Sequence, residues 1–171
     1  QRAITDNTRS LDKPGKTVKA LKRLVALFKK RRNASDAQPK RVEKDYRGIE
    51  ELVRSLAVTY HRQALKTEND QDYKVAELLY DDYVDLFVDT VETYNMNFYF
   101  AELLYKRKRW KDAARRYEHV IELKPNGEYI KEATHSTVLA YKKLLKIAKL
   151  KKSSTSTTTT STWSATFRRV T

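Results

Sequence analysis

Apolar residues recur at helical spacing along most of this chain. The clearest case lies between Asn97 and Pro125, where Phe100, Ala101 and Leu104 form one apolar stripe. A second stripe follows, made of Trp110, Ala113, Ala114, Tyr117, Val120, Ile121 and Leu123. The polar run 106–109 separates the two stripes, and Pro125 cannot continue a helix. The pattern therefore predicts two helices joined by a short turn, a helical hairpin.

The same periodicity predicts helices on both sides of this hairpin. Apolar stripes of period 3.6 span residues 16–32, 41–66, 73–89 and 128–150, and polar segments between them predict loops. The second of these helices is long for a single repeat helix. With only 3 Gly and 3 Pro in 171 residues, the chain is predicted to be all-α.

The hairpin pattern recurs along the chain. A shift of about 37 residues, within the range of helical repeat arrays, superposes small and aromatic positions of two segments: Ala64 on Ala101, Tyr73 on Trp110, Ala76 on Ala113, Tyr80 on Tyr117 and Leu86 on Leu123. A further shift aligns His135 with Phe98, and with it His61. One hairpin cannot bury its own apolar faces, so a repeat needs such neighbours.

The order of small, aromatic and proline positions in residues 97–125 resembles the tetratricopeptide repeat (TPR). Ala101, Ala113, Tyr117 and Pro125 match its small, alanine, aromatic and proline positions. The segment departs from the family in the turn, where Lys108 stands in place of the usual glycine, and at Asn97, where a large residue is usual. The resemblance implies an all-α helical-hairpin solenoid of about three layers.

The domain organisation predicted from this resemblance has four parts. Residues 1–15 form an irregular segment, and residues 16–56 hold a basic amphipathic helix and the start of the long helix. The TPR-like solenoid covers residues 57–150, with repeats at about 57–93, 94–130 and a partial one at 131–150. Residues 151–171 form a Ser/Thr-rich linker and tail. In the tail, Trp163, Ala165 and Phe167 alternate with polar residues, which fits a strand added to another protein, aromatic side chains inserted into a pocket, or a disordered end.

The resemblance implies a protein-binding scaffold. TPR solenoids bind peptides along the face lined by the first helix of each repeat. On this sequence the groove residues are His61, Leu65, Asn95, Phe98, Glu102, Tyr105, Lys106, His135, Leu139 and Lys142. The aromatic and leucine side chains would anchor a peptide or helix, and the charges would select it.

Residues 52–149 also resemble TPR proteins of the cell envelope in gliding and predatory bacteria. The segments that carry this likeness are LAVTYHRQALKT and YKVAELLYDDYVDLF. It implies a multi-subunit assembly in the periplasm or at the envelope, with the cytoplasm as the alternative. Because residue 1 is Gln, the lack of a visible signal peptide decides nothing about localisation.

The charge distribution adds a second functional hypothesis. The net charge is +14, and it divides into a basic first third, an acidic middle and a basic end. Two basic patches stand out: Lys29, Lys30, Arg31 and Arg32, and then Lys146, Lys149, Lys151 and Lys152. The first belongs to the amphipathic helix 16–32, which suits a cover for the solenoid end, an anionic membrane or a partner's groove. The alternative function is therefore binding of nucleic acid or another anionic surface, although the aromatics here belong to apolar stripes.

The sequence contains few groups arranged for chemistry. It has no cysteine, no Gly-rich phosphate loop and no HExxH spacing, and its three histidines lie on three predicted helices. Asp81, Asp82, Asp85 and Asp89 form an acidic face, but carboxylates on one helix rarely converge on calcium without a loop. We therefore expect a non-enzymatic protein with no catalytic residue, cofactor, metal or small-molecule substrate.

Overall fold

The computed structural model describes the backbone of residues 14–32 and 39–167, and within these ranges the chain is helical and has no strand. Six helices follow one another along the described chain: α1 (Pro14–Arg32), α2 (Pro39–Thr67), α3 (Asp70–Leu86), α4 (Thr93–Lys106), α5 (Trp110–Leu123) and α6 (Ile130–Phe167). The all-α prediction is confirmed. The chain divides into two compact units, unit 1 (Gln1–Leu103) and unit 2 (Leu104–Thr171).

Unit 1 has a core formed where α1 and α3 pack against α2. Tyr60 and Tyr80 are fully buried there, beside the small residues Ala64 and Ala76. Alanines at these positions let the axes of two helices approach closely, and the tyrosines fill the space beside them. From α1, Phe28 reaches Tyr46 with ring centroids 6.0 Å apart.

Unit 2 is built on the packing of α5 against α6. Ala113, Tyr117 and Val120 of α5 are completely buried, and so are Ala133 and Ala140 of α6. Residues 133 and 140 are seven apart, so they lie on one face of α6, as a helix with one packed face requires. Along the rest of α6, from Tyr141 to Lys152, nearly every side chain is exposed.

Two turns contain a residue other than glycine with a positive φ. Lys108 has a φ of 61° and Glu68 a φ of 54°, the left-handed region that glycine adopts most easily. After α4, the N–H of Arg109 donates to the carbonyl of Leu104 and that of Lys108 to Tyr105, both at 2.9 Å. This is the Schellman ending of a helix, with Lys108 where glycine is usual.

Replacing Lys108 with glycine is expected to stabilise unit 2 by about 1 kcal/mol, because the left-handed conformation strains a residue that carries a Cβ. Urea unfolding followed by circular dichroism measures the change. The control is Arg115→Gly, an exposed position inside α5, which should cost about 1 kcal/mol. If both substitutions destabilise equally, the turn does not limit stability.

Helix boundaries agree with the sequence in places and differ in others. The C-terminal end of α4 and the start of α5 fall where the polar run 106–109 predicts them. The third helix was predicted at 73–89 but spans Asp70–Leu86, because Asn69 caps it by accepting from the N–H of Gln71 at 2.8 Å. Asp89 therefore lies beyond the helix end and outside the predicted acidic face.

The largest difference between the predicted and the observed helices lies in the C-terminal segment. Residues 153–162 were predicted to be a flexible linker, and the tail after them either a segment that binds another protein or a disordered end, yet α6 continues to Phe167. A helix that is already nucleated adds each residue at little cost, so residues of modest propensity can extend it. Residues 1–13, 33–38 and 168–171, which include most of the predicted irregular N-terminus and first loop, lie outside the described residues.

Candidate partner-binding surfaces

The predicted groove residues of unit 1 divide into buried and exposed ones. His61 and Phe98 each expose only 9% of their surface, so they contribute little to a binding face. Leu65 is 48% exposed, and Asn95 and Glu102 are partly exposed. The amide of Asn95 donates to Glu92 at 3.0 Å. Three of the five predicted positions therefore present a side chain to solvent.

His61 belongs to the packing of α2 against α3. Its Nδ1 lies 3.1 Å from the hydroxyl oxygen of Tyr80, and the two rings meet edge to face with centroids 5.6 Å apart. Burial lowers the pKa of His61 to about 4, so the imidazole is neutral at pH 7. Burial also raises the pKa of Tyr80. The repeat position had implied that His61 faces a ligand. The structure instead places it in the packing between α2 and α3.

The predicted groove residues of unit 2 all retain some exposure. Tyr105 packs against Trp110, with ring centroids 4.8 Å apart, and stays partly exposed. Leu139 is also partly exposed, whereas the remaining positions are exposed: Lys106, His135 and Lys142. His135 thus differs from His61, with which the repeat register had paired it. The sequence signal was the same at the two positions, and only the neighbouring helix distinguishes them.

The basic patches are solvent-facing where the structure describes their side chains. Lys30 and Arg31 of α1 are exposed, and Arg31 pairs with Asp45 at 3.7 Å. The side chains of Lys29 and Arg32 lie outside the described set. On α6, the exposed Lys146 and Lys149 border a shallow recess of about 440 Å³ that also includes Lys142, Leu145 and Leu150. Lys151 and Lys152 follow and are exposed too.

The α1–α2 groove of unit 1 was not foreseen from the sequence. It has a volume of about 760 Å³ and is lined by Leu24, Leu27, Phe28, Lys30, Arg31, Lys44, Asp45, Gly48 and Ile49. Gly48 lies inside α2, where glycine costs about 0.5–1 kcal/mol relative to alanine. A Cβ at this position would meet no atom within 4 Å. The one usable sequence signal was this glycine within a helical pattern.

A polar network in unit 1 also escaped sequence reasoning. The hydroxyl of Tyr83 donates to Glu50 Oε1 at 2.7 Å, and Arg54 Nε donates to the same oxygen at 2.8 Å. Tyr83 also lies 2.9 Å from the hydroxyl of Thr90, and Thr93 Oγ1 donates to the Phe87 carbonyl at 2.7 Å. Burial raises the pKa of Tyr83. The network joins α2, α3 and the turn before α4, and its groups satisfy one another.

Within the described residues, no three His, Asp or Glu side chains are grouped so as to hold a metal ion. Asp81 and Asp85 are exposed and Asp82 is partly exposed along α3. No described helix has a stretch that is both long enough and apolar enough to cross a bilayer. Comparison with family models, with curated proteins and with solved structures finds no match to this chain.

Proposed function

We propose that this protein is a non-enzymatic scaffold that binds a peptide or helix of a partner protein along the first helices of TPR-like hairpins. The observation that carries the proposal is burial at matching repeat positions. Ala64 and Ala101, Ala76 and Ala113, and Tyr80 and Tyr117 all have 0% exposure. Small residues and tyrosines that are buried at corresponding positions of two segments support the hypothesis that the two segments are repeats of one helical hairpin.

Within each unit, the candidate binding residues in this proposal are the predicted groove residues that solvent can reach. In unit 1 these are Leu65, Asn95 and Glu102, and in unit 2 they are Tyr105, Lys106, His135, Leu139 and Lys142. Leucines and a tyrosine supply apolar anchors, and charges beside them select the partner. The envelope-associated assembly remains part of the proposal on the strength of the sequence resemblance alone.

The test is capture of partners from the native source with the full chain as bait. A double variant, Leu65→Gln with Leu139→Gln, removes one exposed and one partly exposed apolar anchor from the first helices of their hairpins. We expect the double variant to recover at least about tenfold less partner than the unmodified chain, because central apolar residues supply much of the binding energy of an interface.

The control is Leu78→Gln with Leu123→Gln, since these leucines are 39% and 41% exposed but lie on α3 and α5, the second helices. Equal recovery with all three baits would refute the groove. Recovery of only nuclease-sensitive material that elutes as salt rises would favour the anionic-binding alternative, because salt competes with phosphate contacts.

A further inference from the structure

Helix α1 carries two apolar faces, and only one of them is used in the core of unit 1. Leu21, Val25 and Phe28 are buried. Leu24 and Leu27 lie on the adjoining side of the helix and are 36% and 58% exposed. An amphipathic helix that only covers a core needs one apolar stripe, so the second stripe is available to another molecule.

This second stripe forms one wall of the α1–α2 groove. Gly48 and Ile49 of α2 line the groove as well; Gly48 is exposed, and a Cβ there would meet no atom within 4 Å. Gly48 does not serve a turn, since it lies in the middle of α2 and does not have a positive φ. A groove with apolar walls and an unfilled glycine position fits an approaching helix backbone, which packs closely where side chains are small.

The charged residues around the groove indicate which sign of charge its binding partner carries. Lys30, Arg31 and Lys44 border it, against the single carboxylate of Asp45. An apolar recess that shares Leu24 and Leu27 adds further cations along α1: Lys16, Lys19 and Arg23. Helix α1 itself contains no Asp or Glu. Cations that surround an apolar stripe attract an acidic partner and repel a basic one.

Two other anionic partners fit these observations less well. Single-stranded nucleic acid binds by stacking bases on exposed aromatic rings, and the aromatic residue of this groove, Phe28, is 4% exposed. A membrane surface would take up Leu24 and Leu27 but would make no use of a recess that Gly48 and Ile49 of the next helix also line. A helix seated between α1 and α2 uses the leucines, the cations and Gly48 together.

We propose that the α1–α2 groove of unit 1 binds an acidic amphipathic helix of a partner protein. The apolar residues of that helix, spaced i, i+3, i+4 and i+7, contact Leu24, Leu27 and Ile49. Its Asp and Glu residues lie beside Lys30, Arg31 and Lys44, and its backbone passes over Gly48. This groove shares no residue with the surface proposed above, so either proposal can fail without the other.

The probe is a fluorescein-labelled synthetic helix of 18 residues with leucines at those spacings and glutamates on both flanks. Fluorescence anisotropy with the full chain is expected to show saturable binding that weakens as NaCl rises, because salt screens exposed charges. A scrambled peptide of the same composition should bind at least about tenfold more weakly, as it has no continuous apolar face. Absence of saturable binding, or equal binding of the two peptides, overturns the proposal.

The decisive variant is Gly48→Gln, which adds a side chain to the lining of the groove. We expect the peptide affinity to fall about tenfold or more, as for loss of a central contact. The melting temperature should equal or exceed that of the unmodified chain, since glutamine is a better helix former than glycine. Ala26→Gln, at an exposed position of α1 that does not line the groove, is the matched control and should leave the affinity unchanged.

Vesicles of phosphatidylcholine and phosphatidylserine and a single-stranded oligothymidine test the competing partners. Binding of either by the unmodified chain that equals peptide binding and survives Gly48→Gln would overturn the proposal. Such a result would assign the cations of α1 to an anionic surface, because Gly48 lies on α2 and a surface-bound α1 would not contact it.

Discussion

Replacing Tyr80 with alanine is expected to lower the free energy of unfolding by about 3–5 kcal/mol, the usual cost of removing a large buried aromatic side chain. Tyr80 is completely buried, stacks on Phe100 with ring centroids 5.6 Å apart, and meets His61 edge to face. The substitution would remove both ring contacts and leave a cavity in their place. Chemical denaturation monitored by circular dichroism measures the loss.

Two further variants show whether the ring is responsible. Tyr80→Phe keeps the ring and removes the hydroxyl that lies 3.1 Å from His61 Nδ1, so it should cost only about 1 kcal/mol. Tyr141→Ala removes a tyrosine that is 41% exposed, and its hydrogen bond to Glu118 is at the surface, so we expect less than about 1 kcal/mol. A loss for Tyr80→Ala no larger than that for Tyr141→Ala would mean that Tyr80 does not organise the core.

Acidification is expected to destabilise unit 1 through His61. Burial lowers the pKa of this histidine to about 4 in the folded chain, whereas an unfolded histidine titrates near its ordinary pKa of 6.5. Between these values the unfolded chain binds more protons than the folded chain, so stability falls as pH drops through the window from about 6.5 to about 4. The loss reaches about 3 kcal/mol near pH 4, at 1.36 kcal/mol for each unit of pKa difference.

The comparison that isolates His61 is the pH dependence of His61→Gln. This variant lacks the titrating ring, so its unfolding free energy should fall less steeply between pH 6.5 and pH 4. His135→Gln serves as the control because His135 is exposed, and its profile should follow that of the unmodified chain. If His61→Gln and the unmodified chain show parallel profiles, the ring is already protonated or solvated in the folded state.

Much of the helical structure could be predicted from spacing alone. The stripe from Trp110 to Leu123 and the polar run before it define α5 and the end of α4, because a helix with one packed face must repeat its apolar residues every 3.6 positions. Local capping moved the boundaries of α3, since Asn69 begins that helix earlier than the apolar stripe does. The segment from Ser153 onward was predicted to be a linker from its Ser/Thr composition, but composition does not show whether a preceding helix continues into it.

The candidate surfaces depended far more on tertiary packing. The predicted repeat register pairs His61 with His135, yet one is buried against Tyr80 and the other is exposed. The exposure of a side chain is set by whichever helix packs over it, and spacing along one helix contains no information about that neighbour. For the same reason the α1–α2 groove could not be foreseen, since the residues that line it come from two helices.

The sequence by itself determined that this protein is all-α, where most of its helices lie, and that its cations gather on α1 and along α6. It did so because periodicity and charge are local properties of a helix. The tertiary structure alone decided which residues on those helices are covered: His61 and Phe98 inside unit 1, Leu24 and Leu27 beside an open groove, and a tyrosine network closed by Glu50. Burial depends on contacts between residues distant in the chain, and these exist only once the helices have packed.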